Sequence, residues 1–501
     1  MTLVTNFDWV ARSRSLDLQV HNFVDGRRET TTGGKTLEKY SPRDGRLLCR
    51  FHAGALPVAD RAVRAARSAF EDGRWSNMSL AARKKILYKL ASLIDDNRNE
   101  FALLESLDVG KPIRAARDFD VPTAAALVRF NAESADKLLS KVYASDPTNH
   151  SYQLRRPFGV IAAIIGWNFP LVLAAGKLAP VLATGNSLVL KPSEITSLSA
   201  TRLAELAQEA GVPDGVLNVV NGDSTVGDAL ARHADVDLIT FTGSTQTGKK
   251  LLVAAGQSNM KRVILECGGK APSIVFEDGP DLESIASAIV ERAFWNQGEV
   301  CTASSRVLVQ DSVKAELLEL VIKKTTALIP GDPLDPATNF GAVVSRDHEC
   351  KIRGYIETGK LEGATAVYQS TAQAPVEGGF YVPPVIFDDV YPEHKIAREE
   401  IFGPVLSVLT FSTEKEAIRI ANDTSYGLSA VLWTRDLGRA HRLTRRLNVG
   451  WVVVNATGKP SGGLPEGVLS VGGQKESGIG VEGGVEGMES YMTQTAVQIF
   501  V

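Results

Sequence analysis

Cysteine is scarce in this chain. Only Cys49, Cys267, Cys301 and Cys350 occur in 501 residues, with no C-x-x-C pair and no histidine at metal-ligand spacing from Cys301. A disulfide framework and a structural zinc site are both poor readings, no metal is expected, and a reducing cytoplasm fits better. Charge of one sign is also lacking. Lys and Arg number 55 against 58 Asp and Glu, a net charge of −3, and the basic residues are dispersed. Nucleic acid is therefore not an expected partner. The opening MTLVTNFDWVARSRSL has neither a basic start nor a continuous apolar run, so a signal peptide is not expected. The stretch closest to a membrane span is PFGVIAAIIGWNFPLVLAAG, residues 157–176, but Asn168 and Pro170 sit centrally in it. A buried amide is costly in lipid and proline breaks the helix, so no membrane partner is expected. The same letters read as a buried strand (Val160–Ile165), a loop (Gly166–Pro170) and a helix.

What is present is ordinary globular material, 44% hydrophobic and 23% charged, in a chain long enough for two or more domains. Residues 21–56 read as short strands with a turn at Asp25–Gly26, and residues 56–137 as helices, one closed by Gly110 and Pro112. From 157 the rhythm changes. SLVLKP (187–192), VLNVVNG (216–222) and DLITFTG (237–243) are predicted strands separated by helices over 198–211 and 224–233. Alternating strands and helices predict an α/β fold with a parallel sheet and right-handed crossovers. After VILECGGKAPSIVF a second unit begins, with a helix over 281–295 and a strand at 305–310. The last stretch, 489–501, is predicted as a strand with no hairpin partner nearby, suited to pairing with another subunit.

Four local signals bear on chemistry. Cys301 lies in NQGEVCTAS, a polar setting that suggests exposure to reagents, although most lone cysteines are incidental. Glu266, in LECGGK, ends an apolar strand and could act as a general base if burial raised its pKa; the bland alternative is a pair with Lys270. Asn168, in WNFP, sits where α/β loops carry ligand contacts and could donate to an oxyanion, or simply satisfy a turn. FTGSTQTG places Gly243 and Ser244 between a strand and a helix, a setting suited to a pyrophosphate though not a G-x-G-x-x-G motif. KPSE adds Lys191 and Glu194 at an adjacent strand end, where a ribose could be held.

WNFP, KPSE, FTGS, LECGGK, NQGEVC and EEIFGPV (399–405) occur in that order. Together they closely resemble the NAD(P)-dependent aldehyde dehydrogenase superfamily over nearly the whole chain. DVGKPI, RAARDFDVP and QSNMKRVILECGGK look most like bacterial dehydrogenases of ω-amino and γ-glutamylamino aldehydes. The resemblance implies a Rossmann-like cofactor domain (1–136 and 157–265), an α/β catalytic domain (266–475) and a small β oligomerisation extension (137–156 and 476–501), assembled as a homodimer or homotetramer. It implies Cys301 as nucleophile, Asn168 and the Cys301 N–H as oxyanion donors, Glu266 as the base for thioester hydrolysis, and Lys177 as a tuner of active-site charge. For the cofactor, it implies Lys191 and Glu194 at the adenosine ribose, with NAD preferred over NADP. Gly243 and Ser244 fall at the pyrophosphate beside Trp167, Glu400 at the nicotinamide ribose, and Phe402 beside the ring.

Several features depart from the family pattern. Cys267 stands beside the base, and Gly176 replaces a bulky aromatic. Ala456–Leu469 is long and carries Lys459 and Glu466. Phe119, between Asp118 and Asp120, lies where some amino-aldehyde members place a carboxylate. Aromatic or aliphatic aldehydes are the alternative substrates. A CoA-acylating enzyme is disfavoured by Glu266, a cofactor-free thiol hydrolase by the want of a histidine dyad partner, and a non-catalytic protein by the joint presence of Asn168, Glu266 and Cys301.

Overall fold

The computed structural model describes residues 7–29, 35–54, 56–144, 147–456 and 467–500. Two sheets organise it. In the first, Val160–Ile164 is buried along its whole length, as a strand covered on both faces must be. It pairs in parallel with Ser187–Lys191 on one side and Leu238–Thr242 on the other. Leu217–Val219 extends the sheet beyond the first neighbour and Arg262–Glu266 beyond the second. Side chains alternate between two cores. Val160, Ala162 and Ile164 pack with the helices Leu56–Glu71 and Ser224–Arg232, while Ile161 and Ala163 face Leu80–Asp96, Val121–Ser134 and Pro170–Ala183. Strand order turns back at Val160–Ile164, so a crevice opens beyond the carboxyl ends of this strand and its neighbours.

The second sheet has the same logic. Pro272–Val275 lies between Arg306–Gln310 and Ser429–Trp433, both parallel to it, and Val405–Phe411 continues the sheet outward. The helix Leu282–Phe294 leads from this sheet into the loop that carries Cys301. The apolar stretch 157–176 forms a strand, a loop and the helix Pro170–Ala183, as read from sequence, and among the described residues no helix is long and apolar enough to cross a membrane.

Two local features shape the site's surroundings. Ala116–Asp120 winds as a π-turn between Ile113–Ala115 and Val121–Ser134. Pro122 has no N–H to return to the preceding turn, which favours such a bulge and swings Phe119 and Asp120 out of helical register. The terminal strand, Met492–Phe500, has no hairpin partner nearby but does pair within the chain, with a segment the resemblance groups with it. It runs antiparallel to Asn149–Pro157 in unbroken register from Met492↔Pro157 to Phe500↔Asn149. That partner lies at the far side of the sequence, where no hairpin signal reaches.

Candidate active site

The crevice holds a cavity of about 800 Å³. Strand ends of the first sheet deliver Trp167 and Asn168, Lys191 and Glu194, Gly243 and Ser244, and Glu266 to its wall. The second sheet's side contributes Cys301, Glu400 and Phe402. The catalytic and cofactor residues read from sequence all line this one space except Lys177; Lys459 and Glu466 of the long loop lie outside the described residues.

The loop before Cys301 is built against backbone preference. Asn296 (φ 48°), Gln297 (φ 57°) and Gly298 (φ 76°) are successive left-handed residues, a conformation two non-glycines adopt only when their surroundings impose it. Contrary to the exposed setting read from NQGEVC, Asn296, Gln297 and Glu299 are all buried, and Cys301 itself is half-buried. The polar letters serve the loop. The Gln297 side-chain oxygen accepts from the Gly341 N–H at 3.0 Å, and the Glu299 carboxyl accepts from the Val344 N–H at 2.9 Å. Asn168 Nδ2 donates to the Glu299 carbonyl at 2.9 Å, and Asn296 Nδ2 donates to the Asn168 carbonyl at 3.1 Å. One hydrogen of the Asn168 amide is thereby committed and the second is left for the cavity. Burial pushes the Cys301 thiol up to about 12, with Glu400 and Glu266 adding to it; the backbone N–H groups of Thr302 and Cys301 pull the other way.

Glu266 ends its strand in an apolar, carboxylate-rich corner. Burial, and then the neighbouring Glu482, push its carboxyl up to about 8, while Lys177 pulls it down. Its Oε1 has no hydrogen-bond partner among the described residues. The alternative pair with Lys270 is not formed: among the described residues the buried Lys270 ammonium has no hydrogen-bond partner. Lys177, buried in the Pro170–Ala183 helix, is ion-paired with Glu482 instead of facing the cavity. Glu482 also accepts from Thr240 Oγ1 at 3.1 Å. Gly268 and Gly269 let the opposite wall close in: a Cβ on Gly268 would meet Glu400 Oε2 at 2.3 Å, and one on Gly269 would meet the Cys301 carbonyl at 2.3 Å. The Gly269 N–H donates to Glu400 Oε1 at 2.8 Å. Burial pushes the Glu400 carboxyl up to about 7.

The other end of the cavity fits a dinucleotide. Ser244 caps the helix Thr245–Gly256 by accepting from the Thr247 N–H, and that helix start faces the cavity. Lys191 lies 3.3 Å from Glu194 Oε2. Between the two ends Trp167 stands edge-on to Phe402 (5.1 Å) and to His348 (5.0 Å), and Phe402 holds a left-handed φ of 61°. His348, Lys351 and Glu482 were not read from sequence. The first two lie in the helix Arg346–Leu361 and the third in a glycine-rich loop, and no local motif marks any of them.

A thiol, a carboxyl and an amide donor thus line one nucleotide-sized crevice, the groups a covalent, cofactor-assisted oxidation needs. The comparisons make this specific. Residues 29–497 match the model of the aldehyde dehydrogenase family, and the chain belongs to that family. It is 45% identical to the NADP/NAD-dependent aldehyde dehydrogenase PuuC of Escherichia coli K12, over 96% of each chain. It is 42% identical to an aminoacetaldehyde dehydrogenase of Pseudomonas aeruginosa, over 95% of each. Among solved structures, an indole-3-acetaldehyde dehydrogenase in complex with NAD+ is 46% identical and superposes with a TM-score of 0.95 over 99% of each chain.

Proposed function

We propose that this aldehyde dehydrogenase converts an aldehyde to its carboxylic acid with NAD, through a thiohemiacetal and then a thioester on Cys301. The observation that carries the reading is the convergence of Cys301, Glu266 and Asn168 on one end of the cavity. The sulfur attacks the carbonyl carbon, and the oxygen that becomes negative meets the free Asn168 N–H and the Cys301 backbone N–H. When bound, the dinucleotide supplies the hydride acceptor. Glu266 takes the proton of the water that opens the thioester, a role its raised pKa suits near neutral pH. Its presence favours water over CoA as acyl acceptor.

NAD(P) use is supported by the NADP/NAD-dependent PuuC and by the NAD+-bound indole-3-acetaldehyde dehydrogenase. For NAD over NADP the support is Glu194, whose carboxylate at the ribose site repels a 2′-phosphate. For substrate, the aminoacetaldehyde relative supports an ω-amino or γ-glutamylamino aldehyde. An aromatic aldehyde is the second reading, favoured by the edge-on pair of Phe119 and Trp295 at 5.4 Å and by the indole-3-acetaldehyde relative. The two sheets support a cofactor domain (1–136, 157–265) and a catalytic domain (266–475), and the separate pairing of Asn149–Pro157 with Met492–Phe500 supports an extension (137–156, 476–501). The extension leaves Leu154, Ile499 and Phe500 exposed on a two-stranded arm, which suits pairing with a second copy in a dimer or tetramer. Four free cysteines suit the cytoplasm.

The test is Cys301→Ala. NADH production from any aldehyde should vanish while NAD binding, followed by fluorescence titration, stays within about threefold of the parent. Persistent turnover refutes Cys301 as nucleophile.

A further inference from the structure

A second cleft, of about 430 Å³, lies across Phe169 from the cofactor cavity. Lys111, Asp120, Phe169, Glu291, Trp295 and Asn296 are among its lining residues. It abuts the reacting centre: Phe169 follows Asn168 in the chain and lines both spaces, and Asn296 holds the Asn168 carbonyl at 3.1 Å. An aldehyde whose carbonyl sits at Cys301 can therefore extend its other end past Phe169 into this cleft.

The charges of the cleft do not cancel. Lys111 and Asp120 neutralise each other at its floor, each with a side chain only 1% exposed. Lys324 is paired outward with Glu283 at 2.5 Å. Glu291 remains: among the described residues its carboxylate has no ion pair or hydrogen bond, and the adjacent Arg292 feels it only through space. Glu291, in the last turn of the helix Leu282–Phe294, and Trp295, the residue that caps that helix, both line the cleft and present to it a carboxylate and an indole. An anionic group next to an electron-rich ring is a receptor for an ammonium or guanidinium. The cleft already shows this preference at its floor, where the Lys111 ammonium lies 4.0 Å from the centre of the Phe169 ring.

We infer that Glu291 and Trp295 form a subsite for the cationic far end of a linear aldehyde, and that Glu291 sets the preference for such substrates over neutral ones. This rests on the reading of Cys301 as the aldehyde's attacking group. Asp120, the acidic residue that the sequence places near Phe119, is not the selecting carboxylate, because Lys111 already occupies it.

The experiment compares 3-aminopropanal with butanal, of nearly the same size, at saturating NAD in the parent enzyme and in Glu291→Gln. The parent should prefer the amino aldehyde. The variant should raise KM for 3-aminopropanal about five- to tenfold, the scale of one partly exposed ion pair reinforced by a ring, with kcat kept within about twofold and butanal unaffected. Butylammonium should inhibit butanal oxidation competitively in the parent and about five- to tenfold more weakly in the variant, and Glu291→Asp should recover part of both effects. A parent enzyme indifferent to the amino group, or a variant in which both aldehydes change in parallel, overturns the inference. A parent enzyme that binds NAD yet oxidises neither aldehyde, nor any other in a broad panel, instead overturns the aldehyde-oxidation reading beneath it.

Discussion

Replacing Glu266 with glutamine separates the two halves of the reaction and tests the electrostatics that assign the residue its role. The carboxyl is raised from 4.5 to about 8, by burial first and Glu482 second. A base with that pKa is about one-tenth ionised at pH 7, half at pH 8 and about nine-tenths at pH 9. Where hydrolysis limits turnover, the steady rate should climb close to tenfold from pH 7 to pH 9 and then level off. Glu266→Gln should flatten that climb and lower the steady rate by about 10²-fold or more, while a rapid burst of NADH, one equivalent per site, remains in stopped-flow absorbance.

The same shift predicts a stability change. A carboxyl whose pKa is higher folded than unfolded lends stability that is fully present below 4.5 and is lost as pH rises through about 8. Glutamine imitates the protonated form at every pH. The variant should therefore nearly match the parent's Tm at pH 5 and exceed it increasingly up to about pH 8, then by a constant margin, a stability difference on the order of a few kcal/mol. Loss of burst and steady phases together would refute Glu266 as the hydrolytic base. Equal Tm values at pH 9 would refute the buried, shifted carboxyl.

Other expectations follow from the same geometry. Asn168→Ala removes one oxyanion donor and should lower the burst rate by about 10²- to 10³-fold in stopped-flow measurements, with NAD affinity intact. Glu194→Ser removes the carboxylate at the ribose and frees Lys191, so the NADP to NAD ratio of kcat/KM should rise about tenfold. Gly269→Ala drives a Cβ into the Cys301 carbonyl and should lower Tm and abolish activity. Gly256→Ala, where no atom lies within 4 Å of the new methyl, should leave both nearly unchanged, as read by thermal melts and NADH assays.

Much of this molecule was legible because its information is local. An uninterrupted apolar run such as VIAAI makes a strand buried on both faces wherever it lies in the sheet, and the residues that follow each such strand reach the crevice by topology alone. Trp167, Asn168, Lys191, Glu194, Gly243, Ser244 and Glu266 all belong to that class. The polar stretch before Cys301 misled the reading of exposure, since its side chains satisfy a left-handed loop inside the protein. The terminal strand was legible as a strand, but its partner, Asn149–Pro157, shares no local signal with it, so only the resemblance grouped the two segments.

The sequence by itself determined the strand and helix alternation, the order of the motifs and the side chains available for thiol, base and amide chemistry. Only the tertiary structure decided the electrostatics. It set Glu482 against Lys177 and near Glu266, brought His348 beside Trp167, and left Glu291 as the unbalanced charge of a cleft beside the site. Burial and through-space charge depend on residues hundreds of positions apart, so a pKa or a pocket's preference is a property of the folded surroundings.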